Sequence, residues 1–118
     1  MLNLIHNPNV YLAAGATDLR KSIDGLALLV SHAFDLDPFS QNLFVFCNKQ
    51  RDKIKILVWE QNGFWLCYKR LEKGRFQWPK STKNQAIALT RRELQWLLDG
   101  LNIEQKQAHK PVAATKII

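Results

Sequence analysis

The sequence predicts an α+β fold, in which an antiparallel β-meander of about four to six strands carries one long helix packed on a face and a shorter C-terminal helix. Three observations lead to this prediction. Short runs rich in β-branched and aromatic residues alternate between apolar and polar positions across residues 43–79. The dipeptide Asn62-Gly63 separates two of these runs, as in a β-hairpin. Apolar residues spaced three and four apart occur on either side, over residues 18–34 and 91–101.

The chain has the size of one domain. It contains 118 residues, of which 47% are hydrophobic and 23% charged, as is ordinary for a globular protein. We expect residues 1–104 to form this single α+β domain. Residues 105–118 lack helical or strand periodicity and contain three lysines, so we expect them to form a flexible basic tail.

The strands are predicted from alternation and from the turn residues that bound them. Asn62-Gly63 supplies the two residues of a type I′ turn between the two longest strands. Pro79 must end the strand before it or leave that strand at an edge, because proline lacks a backbone N–H. The predicted strands are residues 9–13, 43–47, 53–60, 64–71, 75–78 and 85–89.

A type I′ turn at Asn62-Gly63 also predicts the register of the meander. The predicted pairs are Glu60 with Trp65, Val58 with Cys67, Ile56 with Lys69, Lys55 with Arg70, and Cys47 with Ile54. Because side chains alternate along a strand, the meander has an apolar face and a mixed face. The apolar face comprises Leu43, Val45, Cys47, Ile54, Ile56, Val58, Trp65 and Cys67. The mixed face comprises Phe44, Phe46, Lys55, Leu57, Trp59, Leu66, Tyr68 and Arg70.

Two helices are predicted to cover these faces. The long helix spans residues 18–34 and is capped by Thr17. We expect it to pack on the apolar face, and we expect the C-terminal helix to cover the mixed face. The C-terminal helix begins at Thr90, which forms a capping box with Glu93, and it ends at Gly100.

Positive charge is concentrated in one part of the chain. The net charge is +7 and the pI is about 9.7. Residues 49–83 contain ten lysines and arginines against three carboxylates, so this window alone accounts for the net charge. Such a concentration favours nucleic acid or an acidic partner surface. The predicted phosphate contacts are Lys49, Arg51, Lys53, Lys55, Lys69, Arg70, Lys73 and Arg75.

Aromatic residues lie between these basic ones. Trp59, Tyr68 and Trp78 are candidate groups for stacking against bases. Aromatic residues on strands more often belong to the core, and the sequence leaves both interpretations open. The predicted register places Lys55 opposite Arg70, and an anion between these two like charges would be stabilising.

No pattern typical of an enzyme is present. Cys47 and Cys67 lie on separated strands, and His6, His32 and His109 lie in unrelated segments, so no metal-ligand spacing occurs. There is no Gly-x-Ser-x-Gly motif and no glycine-rich phosphate loop. The carboxylates have ordinary capping or surface explanations. We therefore expect no metal, no cofactor and no catalytic residues.

The sequence also predicts a cytoplasmic protein. No apolar run approaches the ~18 residues that cross a bilayer. The first ten residues lack the basic region and small-residue cleavage site of a signal peptide. Two cysteines fit a reducing compartment. The sequence does not indicate an oligomeric state.

Several motifs, in this order over residues 8–103, resemble a known family. They are Asp18-Leu19-Arg20-Lys21, Phe46-Cys47-Asn48 followed by Lys53-Ile54-Lys55, the hairpin from Trp59 to Gly63, the turn from Lys69 to Gly74, and the segment from Phe76 to Pro79. The chain resembles the TnpB accessory proteins, which are encoded by the second open reading frame of insertion sequence 66 (IS66) transposons.

This resemblance implies a protein that accompanies a separate transposase and is required for transposition, without an enzymatic activity of its own. It transfers no catalytic residue to this chain. Together with the basic window, it predicts a non-catalytic accessory protein that contacts transposon DNA, the transposase or both. The alternative is a protein–protein interaction module of the transposition complex that does not bind DNA directly, in which the positive charge steers assembly.

Overall fold

A five-stranded mixed β-sheet forms the centre of the protein in the computed structural model, which describes residues 8–80 and 85–103. The strand order is β4-β3-β2-β1-β5. The strands are β1 (Val10–Ala13), β2 (Leu43–Cys47), β3 (Lys53–Glu60), β4 (Gly63–Arg70) and β5 (Ala86–Leu89). The helices are α1 (Ile23–Leu28), which continues into a π-helical segment (Leu29–Ala33), and α2 (Arg91–Leu98).

The α+β class is confirmed, but the sheet departs from the predicted antiparallel meander. Among the strands of the described residues, only β2, β3 and β4 form a meander. β1 pairs with β2 in parallel, with Val10 opposite Leu43, and β5 pairs with β1 antiparallel. A parallel pair needs a crossover, and α1 lies in that crossover. Parallel pairing joins residues that are far apart in sequence, so the alternation within each strand does not reveal it.

The hairpin between β3 and β4 forms one residue earlier than predicted. Its loop residues are Gln61 and Asn62, with Gln61 at φ 53°, and Glu60 pairs with Gly63. The predicted pairs across this hairpin are therefore wrong by two residues, whereas the pair of Cys47 with Ile54 is confirmed. An even shift leaves every side chain on its predicted face.

An aromatic cluster accompanies this register. Trp59 lies opposite Phe64, and their ring centroids are 5.0 Å apart in an edge-to-face arrangement. Phe39 packs on both rings, at 5.0 Å from Trp59 and 5.4 Å from Phe64. Such aromatic pairs add stability beyond their buried area. The observed register brings these rings together, and this favours it over the predicted one.

The two helices cover the faces opposite to those predicted. Leu26 and Val30 pack with Phe44, Phe46 and Leu57, so α1 and its π-helical continuation lie on the mixed face. The α2 residues Leu94 and Leu97 pack on the apolar face. The crossover from β1 to β2 occupies the mixed face, so the chain beyond β4 covers the apolar face.

Residues 75–78 do not form the predicted strand. After β4 the chain runs to β5 at the other edge of the sheet, and Phe76 and Trp78 are buried in the apolar-face core on the way. The Trp78 indole N–H donates to the Ala13 carbonyl at 2.9 Å, and the Phe76 N–H donates to the Arg51 carbonyl at 2.7 Å. The side chains of this segment thus fill the core, and the segment hydrogen-bonds to the end of β1 and to the loop between β2 and β3.

The helix boundaries agree with the sequence at α2 and differ at α1. Thr90 and Glu93 form the predicted capping box, and Gly100 follows α2 with φ 85°. The N-cap of α1 is Ser22, and its eleven helical residues begin five positions later than predicted. Thr17 instead donates its backbone N–H to the Cys47 carbonyl at 2.8 Å. The segment before α1 is therefore held on the sheet as a loop.

Two further expectations concern the C-terminal tail and the absence of a membrane-spanning segment. The flexible tail predicted over residues 105–118 lies outside the described residues, as do residues 1–7. Within the described part of the chain, neither helix is long and apolar enough to cross a membrane.

Replacement of Trp78 by Phe is expected to destabilise the protein by about 1–3 kcal/mol, because it leaves a void and removes the donor to the Ala13 carbonyl. Trp65, which is 46% exposed, provides the matched control: Trp65→Phe should change the free energy of unfolding by less than about 0.5 kcal/mol. Urea unfolding followed by circular dichroism measures both. Equal destabilisation by the two variants would contradict the structural role of the Trp78 indole.

Candidate nucleic-acid interface

A groove of about 890 Å³ opens beside the ends of β1 and β2. Because these strands are parallel, the loops that follow them emerge at the same edge of the sheet. One wall is the loop from β1 to α1, and the other is the loop from β2 to β3. The basic groove, as we call it, is lined by Ala16, Thr17, Asp18, Leu19, Arg20, Asn48, Lys49, Gln50, Lys53, Lys55 and Tyr68.

Asn48 shapes the loop between β2 and β3. Its side-chain oxygen accepts the backbone N–H groups of Asp52, at 3.1 Å, and Lys53, at 3.0 Å. Its amide nitrogen donates to the Asp52 carboxylate at 2.7 Å, and this donation lowers the pKa of Asp52. Arg51 adopts a positive φ of 61° within the same turn. An asparagine that bonds to the backbone of the following residues is a frequent turn former.

Lys55 fixes the loop on the other side of the groove. Its ammonium group donates to the Leu19 carbonyl at 2.6 Å and to the Lys21 carbonyl at 3.1 Å. An ammonium group has three N–H donors, so two of them hold the loop against the sheet. Together with the bond from the Thr17 N–H to the Cys47 carbonyl, this holds one wall of the groove against the sheet.

The charge of the groove is mainly positive. Four cationic side chains and one carboxylate line it. The carboxylate belongs to Asp18, which is paired with Arg20: the guanidinium Nη2 donates to Oδ2 at 2.8 Å. Hydrogen bonding from Arg20 lowers the pKa of Asp18 to about 2. The pair is internally neutral, so the positive potential comes mainly from Lys49, Lys53 and Lys55.

The three candidate aromatic residues have different environments. The Tyr68 side chain lines the groove, and the residue is 55% exposed. Trp78 is only 6% exposed and its indole is hydrogen-bonded, so it has no ring face available to a base. Trp59 is half-buried in the aromatic cluster with Phe39 and Phe64. Tyr68 is therefore the candidate that the structure places beside the basic side chains.

A smaller depression of about 260 Å³ continues the groove toward the apolar face. It shares Ala16, Asn48 and Lys49 with the basic groove, and it adds Arg51 and Lys80. The basic side chains along the two depressions are Arg20, Lys49, Arg51, Lys53, Lys55 and Lys80.

Arg20, Lys80 and Asn48 were not among the predicted site residues. Arg20 lies in the loop before α1, and Lys80 lies in the segment after β4. The fold brings both segments to the two depressions, and no local sequence pattern indicates that they meet there. Asn48 was recognisable as a turn residue directly after a strand, which is a local signal.

The other predicted phosphate contacts lie outside the groove. The Lys55–Arg70 pair is wrong, because Lys55 lies opposite Tyr68 and Lys53 lies opposite Arg70. Arg70 is paired with Glu72, with Nη2 donating to Oε1 at 2.8 Å. Three more are exposed residues that line neither depression: Lys69, Lys73 and Arg75.

The described residues offer no arrangement for metal chemistry. Across residues 8–80 and 85–103, no group of three His, Cys, Asp or Glu side chains is placed to hold a metal ion. Burial raises the pKa of the Cys47 thiol to about 12, and burial also raises the pKa of Cys67. A protonated thiol is a poor nucleophile, so neither cysteine has the environment of a reactive one.

The fold and the groove together define a small α+β protein with a preformed, basic and aromatic-containing surface, a combination typical of nucleic-acid-binding and assembly modules. The family model described as IS66 Orf2 like protein matches residues 8–108. The chain belongs to this family, and membership implies a transposon accessory protein.

Relatives occur in Sinorhizobium fredii (strain NBRC 101917 / NGR234). The uncharacterized protein y4hO is 37% identical over 107 residues, which cover 91% of this chain and 92% of the relative. The uncharacterized protein y4jC is 30% identical over 105 residues, which cover 86% and 89% of the two chains. No solved structure matches this chain.

Replacement of Arg20 by Gln is expected to raise the pKa of Asp18 from about 2 toward its ordinary value of 3.8. A lowered folded-state pKa means that the pair stabilises the fold above about pH 3.8, and that this stabilisation is lost as the pH falls through about 2. Carboxyl carbon NMR titration measures the pKa. Lys21→Gln is the control, because it also removes one positive charge but Lys21 affects the pKa of Asp18 much less than Arg20 does. An equal rise of the Asp18 pKa in this control would contradict a direct effect of the Arg20–Asp18 pair.

Proposed function

We propose that this protein is a non-catalytic, cytoplasmic accessory factor for DNA transposition that contacts transposon DNA through the basic groove. The observation that carries this proposal is the convergence of Lys49, Lys53 and Lys55 with the exposed Tyr68 in one preformed groove. Membership of the IS66 Orf2-like family supplies the transposition context.

The physical basis is electrostatic. Lysine and arginine side chains that neutralise phosphates release counterions from DNA, and this release drives binding. The walls of the groove are held by Asn48 and Lys55 through hydrogen bonds. Binding therefore requires little ordering of these loops, which lowers its entropic cost. Lys49 is exposed, Lys53 is half-buried, and within the described residues neither forms an ion pair with an acidic side chain.

A separate surface supports a second candidate function, contact with the transposase. The cluster of Phe39, Trp59 and Phe64 lies at the hairpin end of β3, whereas Lys53 and the groove lie at its other end. Phe39 is 56% exposed. Exposed aromatic residues of this kind are common anchors of protein interfaces. The two functions are compatible, because they use opposite ends of the same strand.

The test of the DNA-binding proposal is a salt titration with duplex and single-stranded oligonucleotides. Replacing both Lys49 and Lys53 by Ala should weaken binding and reduce the slope of log K against log salt by about 1.4–1.8, because each lost contact accounts for about 0.7–0.9. The double variant Lys69→Ala and Lys73→Ala is the matched control, because it removes the same charge from outside the groove and should leave the slope unchanged.

Two results would contradict the proposal. One is the absence of binding to any DNA at about 50 mM salt, where phosphate contacts are strongest; this leaves the protein-interaction module as the remaining function. The other is an equal loss of slope in the groove and control variants, which would attribute binding to overall charge.

A further inference from the structure

We infer that the basic groove binds an unpaired nucleic-acid strand and that Tyr68 stacks on one of its bases. This inference rests on the proposed function and makes it more specific: the ligand is a single strand, in preference to a duplex. It is drawn from the position of one aromatic ring among the cations of the groove.

The ring of Tyr68 lies beside the loop that precedes α1, and it is exposed there. Tyr68 lies on the same face of the sheet as Leu57 and Leu66, which pack in the core beneath α1. Tyr68 lies beyond this core, opposite Lys55, near the end of the edge strand β4. The loop before α1 is held by the Lys55 ammonium group, so it forms the wall of the groove without covering the ring.

An exposed ring in a basic groove suits an unpaired base and not a paired one. In a duplex the faces of the bases are covered by their neighbours, and a ring can reach one only if the base is extruded, which is costly. In a single strand the faces are accessible, and stacking on an aromatic side chain is favourable for every base. Proteins that bind single strands combine such rings with a positive groove along the backbone.

The size of the groove agrees with this ligand. A volume of about 890 Å³ falls in the range of sites that hold one small molecule, so the groove has room for a stacked nucleotide. Lys49 and Lys53 supply the charge for phosphates beside the stacked base. Lys55 has two N–H donors bound to the loop, so its contribution to a ligand is smaller. The arrangement predicts tolerance of base sequence, because stacking does not read the edges of the base.

The experiment compares three labelled ligands by fluorescence anisotropy: an oligothymidylate of about 12 nucleotides, an abasic strand of the same length, and a blunt-ended duplex without a loop. Wild-type protein should bind the oligothymidylate more tightly than the other two. Tyr68→Leu should weaken binding of the oligothymidylate about 5- to 150-fold, as expected for one lost stacked base. Binding of the abasic strand and the duplex should change by less than about twofold, because neither offers an accessible base.

Trp65 provides the matched control. It lies on the same strand as Tyr68, points to the opposite face and is 46% exposed. Trp65→Leu should leave the affinity for all three ligands unchanged. Tyr68→Phe keeps the ring and should bind the oligothymidylate as the wild type does. NMR gives an independent readout, because the ring protons of Tyr68 should shift upfield on addition of the oligothymidylate and not on addition of the abasic strand.

The outcomes separate this inference from the function on which it rests. Equal affinity of wild-type protein for the oligothymidylate and the abasic strand would overturn stacking, while phosphate binding in the groove would stand. Equal weakening of all three ligands by Tyr68→Leu would also overturn it. If none of the three ligands binds, both the inference and the proposed DNA contact fail.

Discussion

The parallel pairing of β1 with β2 is the constraint on which the remaining structure depends. It requires a crossover, and the crossover places α1 on the face that contains Phe44 and Phe46. The other face must then be covered by the part of the chain beyond β4, and Phe76, Trp78 and α2 cover it. The same pairing brings the carboxyl ends of both strands to one edge of the sheet. The basic groove exists because two loops emerge there side by side.

Local sequence patterns predicted much of this fold. The bounds of β2 and β3, the capping box at Thr90 and the division of side chains between two faces follow from alternation, spacing and capping chemistry. The features that were missed depend on distant contacts. Thr17 has the side chain of an N-cap, yet its backbone N–H bonds to Cys47, thirty positions away, and α1 begins later. The packing of Phe39 on Trp59 and Phe64 accompanies a hairpin register that the Asn62-Gly63 dipeptide did not indicate.

The sequence predicted a basic site with aromatic residues, but only some of the predicted residues lie in the groove. The sequence located the basic window and three aromatic residues, but it could not separate a ring in the core from a ring in a groove. Trp78 and Tyr68 look alike in sequence, each beside basic residues, and they differ because the chain after β4 passes beneath the sheet while β4 remains at its edge. Family membership implies a transposon accessory protein. The loops of the groove are held by the Asn48 amide and by backbone carbonyl groups as well as by the Lys55 ammonium group.

The segment that runs from β4 to β5 also has a consequence for the order of folding. The meander of β2, β3 and β4 closes short loops, whereas β1 must find β2 across a long crossover and β5 across most of the chain. Because closing a long loop costs more entropy than closing a short one, we expect these distant contacts to form late in folding. The bond from Trp78 to Ala13 spans 65 residues and ties the segment after β4 to the end of β1. One wall of the groove follows β1, so the groove is completed only when β1 is in place. A nascent or partly unfolded chain would keep its positive charge but lack the shaped surface, which makes binding in the groove a property of the finished fold.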